Sequence, residues 1–283
     1  MFRSFPFIQR RSSRSWFYPL ISMTVAISIL LSSASPTLAI PWRDLFLRGV
    51  QVIQLATLSS RQEVALGRQI NEQLVTREVK LLNNPEATEY INQIGQRLAQ
   101  VSERSNIPYT FQVVNNSSIN AFATMGGFVY INTGLMAAAE NEAELASVIA
   151  HEIGHIVGRH AVEQMRQMAV AQGVASAAGL DESIAVQIGV ELALRRPNSR
   201  KAEYEADQLG ITNLGVAGYD QQGAVDFMEK LLQGGSVPSI LSTHPATNDR
   251  ISALEAMINP RYADNGSGMD RAAYQAKMQR ILS

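Results

Sequence analysis

The segment that most constrains this chain is His151-Glu152-Ile153-Gly154-His155, set among the apolar residues Leu145, Val148, Ile149 and Ile156. That spacing predicts a helix, and Asn141 with Glu144 three residues later marks its start. On a helix the two histidines are about 40° and one turn apart, so both imidazoles face one side and can share a metal ion. Glu152, about 100° from His151, flanks the pair and can reach a water without being a ligand. Idle, unpaired histidines after an apolar run are disfavoured, because burying them is costly.

Two histidines leave a metal site incomplete. There is no cysteine, so the third ligand is a carboxylate or His244. Within residues 199–207, Glu203 and Asp207 lie four apart on one face of a predicted helix. One of them can bind metal while the other orients a ligand histidine through its second ring nitrogen. Spacing alone leaves Glu203, Glu205 and Glu191 all open. His160 imitates a third histidine, but on a continuous helix it points about 180° away from His151 and reads as a satisfied or surface residue.

Composition narrows the compartment and the partners. Arg3, Arg10, Arg11 and Arg14 precede any acidic residue, an apolar stretch follows from Trp16 to Leu31, and small residues lead to Ala39. This predicts a cleavable export leader over 1–39, since the stretch is short of the roughly 20 residues a spanning helix needs. With those four arginines set aside, 20 basic residues stand against 25 acidic ones, which disfavours nucleic acid as a partner. Export without cysteine means that the fold rests on core packing and on a metal rather than on disulfides, and it excludes a lipid-modified cysteine.

Further along, Trp42, Leu45, Phe46, Val50 and Ile53 recur at helical spacing. They predict an amphipathic helical segment over 40–60, with peripheral membrane contact through 40–58 as one use of it. Helices are expected from Arg61 to Leu82 and from Pro85 to Ser102. The period then changes to two, giving three short strands around Tyr109–Val113, Ile119–Ala123 and Phe128–Ile131. From Asn141 onward the pattern is helical, with a flexible turn near Gly266 and a last short helix over 270–282.

These pieces resemble a known family, the zinc peptidases that include HtpX, the CAAX prenyl proteases and the BepA-like periplasmic proteases. The resemblance runs from about Gln62 to Arg250. It rests on Glu63-Val64-Ala65-Leu66-Gly67, Asn120-Ala121-Phe122-Ala123, Gly126 to Leu135, Glu144-Leu145-Ala146, the 151–155 motif, Glu203 to Asp207, and His244-Pro245 with Arg250. It implies a mostly helical α+β fold of gluzincin type, a zinc peptidase domain over 61–260 with a small three-stranded sheet beside the motif helix, and a separate segment over 261–283. It also implies one Zn2+ per chain on His151, His155 and Glu203, with Asp207 behind them and Asn120, Ala121, Phe122 and Ala123 as a strand that pairs with substrate backbone. Thr124-Met125 departs from the Leu-Pro usual before the paired glycines, and neither the internal membrane helices of HtpX nor the C-terminal repeats of BepA are visible.

The function so implied is a metalloendopeptidase with Glu152 as its base, acting on unfolded or misassembled exported proteins in the periplasm or an equivalent compartment. His244, Arg250 and Tyr204 are candidates for the oxyanion, and His244 is also a candidate latch on the metal, as in the BepA-like relatives. The rival is a metal-stabilised holdase that binds unfolded chains without cutting them.

Overall fold

The computed structural model describes residues 52–53, 55–171, 180–233, 238–263 and 266–283. The leader over 1–39 and the segment 40–51 lie outside the described residues, as do the glycine breaks at 179 and 234–235. What is described of the 40–60 segment is helical only in part. Val52–Ile53 form a two-residue strand, β1, and Leu55–Thr57 a single tight turn.

Helix α1 (Ser60–Gln73) starts at a capping box between Ser59 and Gln62 and closes in a wide turn over Leu74–Glu78. The helix expected to reach Leu82 stops there because strand pairing takes over its backbone. The Leu82 amide donates to the Val113 carbonyl, and the Asn115 amide to that of Lys80. Helix α2 (Pro85–Gln100) begins as its sequence predicts, with Asn84 capping and Pro85 in the first turn.

Three strands follow, β2 (Thr110–Val114), β3 (Ala121–Thr124) and β4 (Phe128–Asn132), in the spatial order β2-β4-β3. β4 is parallel to β2 and antiparallel to β3, which leaves β3 on an edge. All of β4 is buried, and its residues alternate between two cores. Val129 and Ile131 point into a cluster shared with α2 and the motif helix, whereas Phe128 and Tyr130 point into one shared with α1.

The rest is helical. It comprises α3 (Thr133–Ala138), α4 (Glu142–Val157) with the 151–155 motif, α5 (His160–Ala171), the short strand β5 (Leu180–Asp181) paired with β1, α6 (Glu182–Arg195) and α7 (Arg200–Val216). After these come α8 (Gln222–Gln233), α9 (Ile240–Thr243), α10 (Asn248–Met257), α11 (Pro260–Ala263) and α12 (Arg271–Leu282). Asn141 caps α4 through the Glu144 amide, as expected. Among the described residues no helix is long and apolar enough to cross a membrane.

The expected boundary at 260 has no counterpart in the packing. Tyr274, Met278 and Ile281, spaced four and three apart, complete the core that holds α2 and α4, and the Tyr274 hydroxyl donates to the Met136 carbonyl at 2.6 Å. Ser267 and Gly268, in the stretch expected to be flexible, are tied to Gly218, Asp220 and Ala143 by backbone hydrogen bonds. Tyr274→Ala is therefore expected to destabilise the domain by about 3–5 kcal/mol, the range for removing a large buried aromatic. Chemical denaturation measures this, and a change below about 1 kcal/mol, typical of a surface substitution, would place α12 outside the core.

Candidate metal centre

The site is created where α4 crosses α7. A Cβ on Gly154 would lie 2.6 Å from the Ala206 carbonyl oxygen, and one on Gly210 would lie 3.0 Å from the His151 nitrogen. Only glycine permits backbones this close. The crossing carries Glu203 and Asp207, four apart on α7, up to His151 and His155, four apart on α4.

His151 Nε2 and His155 Nε2 are 3.1 Å apart, and Glu203 stands 3.5 Å from the first and 3.4 Å from the second. His244, at the end of α9, completes the cluster with Nδ1 3.3 Å from His151 Nε2 and 3.2 Å from Glu203. Donor atoms of all four residues lie within 4.8 Å of one another. Of the three glutamates left open by spacing, Glu203 alone converges here. Glu191 pairs with Arg196, and Glu205 faces His160.

Electrostatics suit a cation. Burial pushes the His155 imidazole down to about 3, leaving its lone pair free across the physiological range. Burial also opposes charge on His151, but hydrogen bonds to Asp207 and Glu203 outweigh it and raise that group to about 10. The same bonds, together with those from His155 and His244, hold Glu203 below the usual carboxylate range against its burial. A buried carboxylate between two imidazoles calls for positive charge at their centre, which His151 supplies as an imidazolium and a metal ion would supply in its place.

Behind the cluster, His151 Nδ1 meets Asp207 at 2.9 Å. Asp207 in turn accepts two 2.7 Å bonds from Arg250, through Nε and Nη2. Arg250 Nη1 reaches Glu203 at 2.8 Å and the Pro245 carbonyl at 2.8 Å. This candidate oxyanion group is thus 3% exposed and directed at the two carboxylates. Tyr204, a third candidate, lies on α7 and is half-buried.

Glu152 is 1% exposed, and its Oε1 has no hydrogen-bond partner among the described residues. His244 Nε2 stands 3.4 Å from this oxygen. A cavity of about 50 Å³ joins Glu152 and His155 to Phe122, Ala123 and Thr124 of the β3 edge. Asn120 lies just before β3, its carbonyl bonded to the Asn132 amide, and Ala121 is fully buried within it. A strap from Ser239 to His244 spans this region, with Ile240 and Ser239 donating to the Ile119 carbonyl and Thr243 accepting from the Asn198 amide.

His160 is not where a continuous helix would put it. Helix α4 ends at Val157, Arg159 takes a left-handed turn with φ 55°, and His160 opens α5 with its Nδ1 2.8 Å from His155 Nδ1. Glu63 holds this turn, pairing with Arg159 and with Arg104, which itself donates to the Ile156 carbonyl. Nothing in the local sequence announces a left-handed arginine.

A mostly helical α+β domain that points His-Glu-x-x-His at a glutamate on the helix packed across it has the architecture of an HExxH metallopeptidase. Residues 85–258 match Peptidase family M48, more than half of the chain, and the chain belongs to that family. It is 36% identical over 219 residues to the beta-barrel assembly-enhancing protease of Yersinia pestis, covering 70% of this chain and 44% of that protein. Identity is 37% over 161 residues to the mitochondrial metalloendopeptidase OMA1 of Arabidopsis thaliana, 55% of this chain and 33% of the relative. Metalloprotease YcaL of Escherichia coli (strain K12) is 30% identical over 178 residues, 58% and 70% respectively. The chain thus spans less than half the length of the first two.

Arg250→Met leaves Glu203 and Asp207 buried without their cation, so a loss of about 3–5 kcal/mol is expected in urea unfolding of the metal-free protein. Arg250→Lys is expected to recover little of it, because lysine cannot reproduce the two-pronged bond to Asp207. Full stability in the lysine variant would refute that role.

Proposed function

We propose that this chain is a zinc-dependent endopeptidase that cleaves unfolded or misassembled proteins in the cell envelope, after export under the leader of residues 1–39. The observation that carries the reading is the convergence of His151, His155 and Glu203 on one point, with Glu152 beside it, its Oε1 without a hydrogen-bond partner among the described residues. Two imidazoles and a carboxylate form a donor set that zinc favours while leaving a position open. When bound, zinc would polarise the scissile carbonyl and lower the pKa of an attached water towards about 7.

The chain's own residues do the rest. Glu152 takes a proton from the attacking water and delivers it to the leaving amine. Asp207 holds His151 through Nδ1, and Arg250 positions Asp207 and Glu203 rather than touching substrate. The β3 edge from Asn120 to Ala123 grips substrate through its backbone, which gives tolerance of sequence and suits quality control. His244, within the cluster and carried by the strap bonded to Ile119, competes for the open position and keeps the enzyme quiet until substrate displaces it.

Glu152→Gln is expected to keep one zinc per chain while cleavage of an unfolded substrate falls by about 10²–10⁴-fold, the usual worth of a general base. Undiminished cleavage by this variant sinks the mechanism. A parent protein that suppresses aggregation of the same substrate without cutting it, with or without a chelator, is a holdase. His244→Ala is expected to cleave faster with its zinc retained, whereas slower cleavage assigns His244 to substrate or oxyanion binding.

A further inference from the structure

His160 is 7% exposed and, among the described residues, touches the centre through His155. Its placement is built in detail. The Arg159 turn swings it back against α4, and a Cβ on Gly158 would lie 2.5 Å from His160 Nε2, so the ring fits there only because residue 158 is glycine. Arg159 is fixed on both sides, its Nε on Glu63 at 3.0 Å and its Nη2 on the Leu58 carbonyl at 2.7 Å.

The proton positions follow from the chemistry of imidazole. His155 Nε2 faces the cluster, 3.1 Å from His151 Nε2. A neutral imidazole holds one proton, so a histidine that gives its Nε2 lone pair to a metal carries that proton on Nδ1. His155 Nδ1 lies 2.8 Å from His160 Nδ1, which must then accept, and this sets the proton of His160 on Nε2. That Nε2 is buried without a hydrogen-bond partner among the described residues, and the nearest charge is Glu205 Oε2 at 3.5 Å. The polarity therefore runs one way, from the metal through His155 and His160 to a carboxylate at the surface.

We infer that His160 is a positioning residue that fixes the tautomer and ring orientation of His155 for metal binding, doing through an imidazole what Asp207 does for His151 through a carboxylate. The inference rests on the metal reading above. It gives the two ligand histidines supports of different strength, an anionic acceptor with Arg250 behind it on one side and a neutral acceptor leaning on a half-exposed glutamate on the other. Outer partners of this kind govern metal affinity by about 10–100-fold.

Two variants separate hydrogen bonding from packing. His160→Leu keeps apolar bulk and removes the acceptor, while His160→Gln keeps an acceptor oxygen for His155 Nδ1. Zinc affinity, measured by competition with a chromogenic chelator, needs no proteolytic activity. His160→Leu is expected to bind about 10–100-fold more weakly than the parent, with His160→Gln recovering most of the loss. The visible spectrum of the Co2+-loaded protein should shift in the leucine variant and return towards the parent's in the glutamine variant. Equal affinity in parent and leucine variant, or a glutamine variant no better than leucine, overturns the inference. A parent with no zinc affinity removes the metal reading as well, so the two failures are distinguishable.

Discussion

The close crossing of α4 and α7 is the constraint on which the rest depends. Each helix brings half of the site, two imidazoles on one and two carboxylates on the other, and neither half can hold a metal alone. Gly154 under Ala206 and Gly210 under His151 set the distance between the axes. A side chain at either position would separate the backbones and carry Glu203 out of reach of both histidines. The glycine inside the motif therefore shapes the candidate metal site through geometry alone.

Bringing those groups together in a dry interior creates an electrostatic problem, and the fold answers it with a second layer. Glu203 and Asp207 are two buried carboxylates separated by one helical turn, a repulsive pair on their own. Arg250, arriving from α10, touches both. A third buried carboxylate, Glu63, does a different job further out, holding Arg104 against the last turn of α4 and Arg159 in the turn that follows. The motif helix is thus anchored at its end by charge and along its side by apolar packing against α2 and the sheet.

Much of this was legible in the sequence, and what was not has physical reasons. Periodicity located α2, the three strands and α4, because in each the buried face repeats with the period of its own backbone. The i, i+4 spacings gave His151 with His155 and Glu203 with Asp207. Choosing Glu203 is different: over Glu205 it depends on which face of α7 meets α4, and over Glu191, which lies on α6, on which helix crosses α4, and both are properties of packing between distant segments. His160 was misplaced in direction because the helix reverses at Arg159, where a non-glycine residue adopts a conformation that few sequences signal. The end of α1 was overestimated because residues able to continue a helix were taken by β2 instead.

The docking of α12 bears on how the protein comes to be made. Asn84, at the mouth of α2, donates its side-chain amide to the Ile281 carbonyl, a contact closed across 197 residues. Contacts so distant in sequence form late, because the chain between them must be ordered or looped first. As the polypeptide is synthesised, the pocket for Tyr274, Met278 and Ile281 stays unfilled until nearly all of the domain has been made. A hydrolase arranged in this way has the core that supports its site completed only when α12 docks.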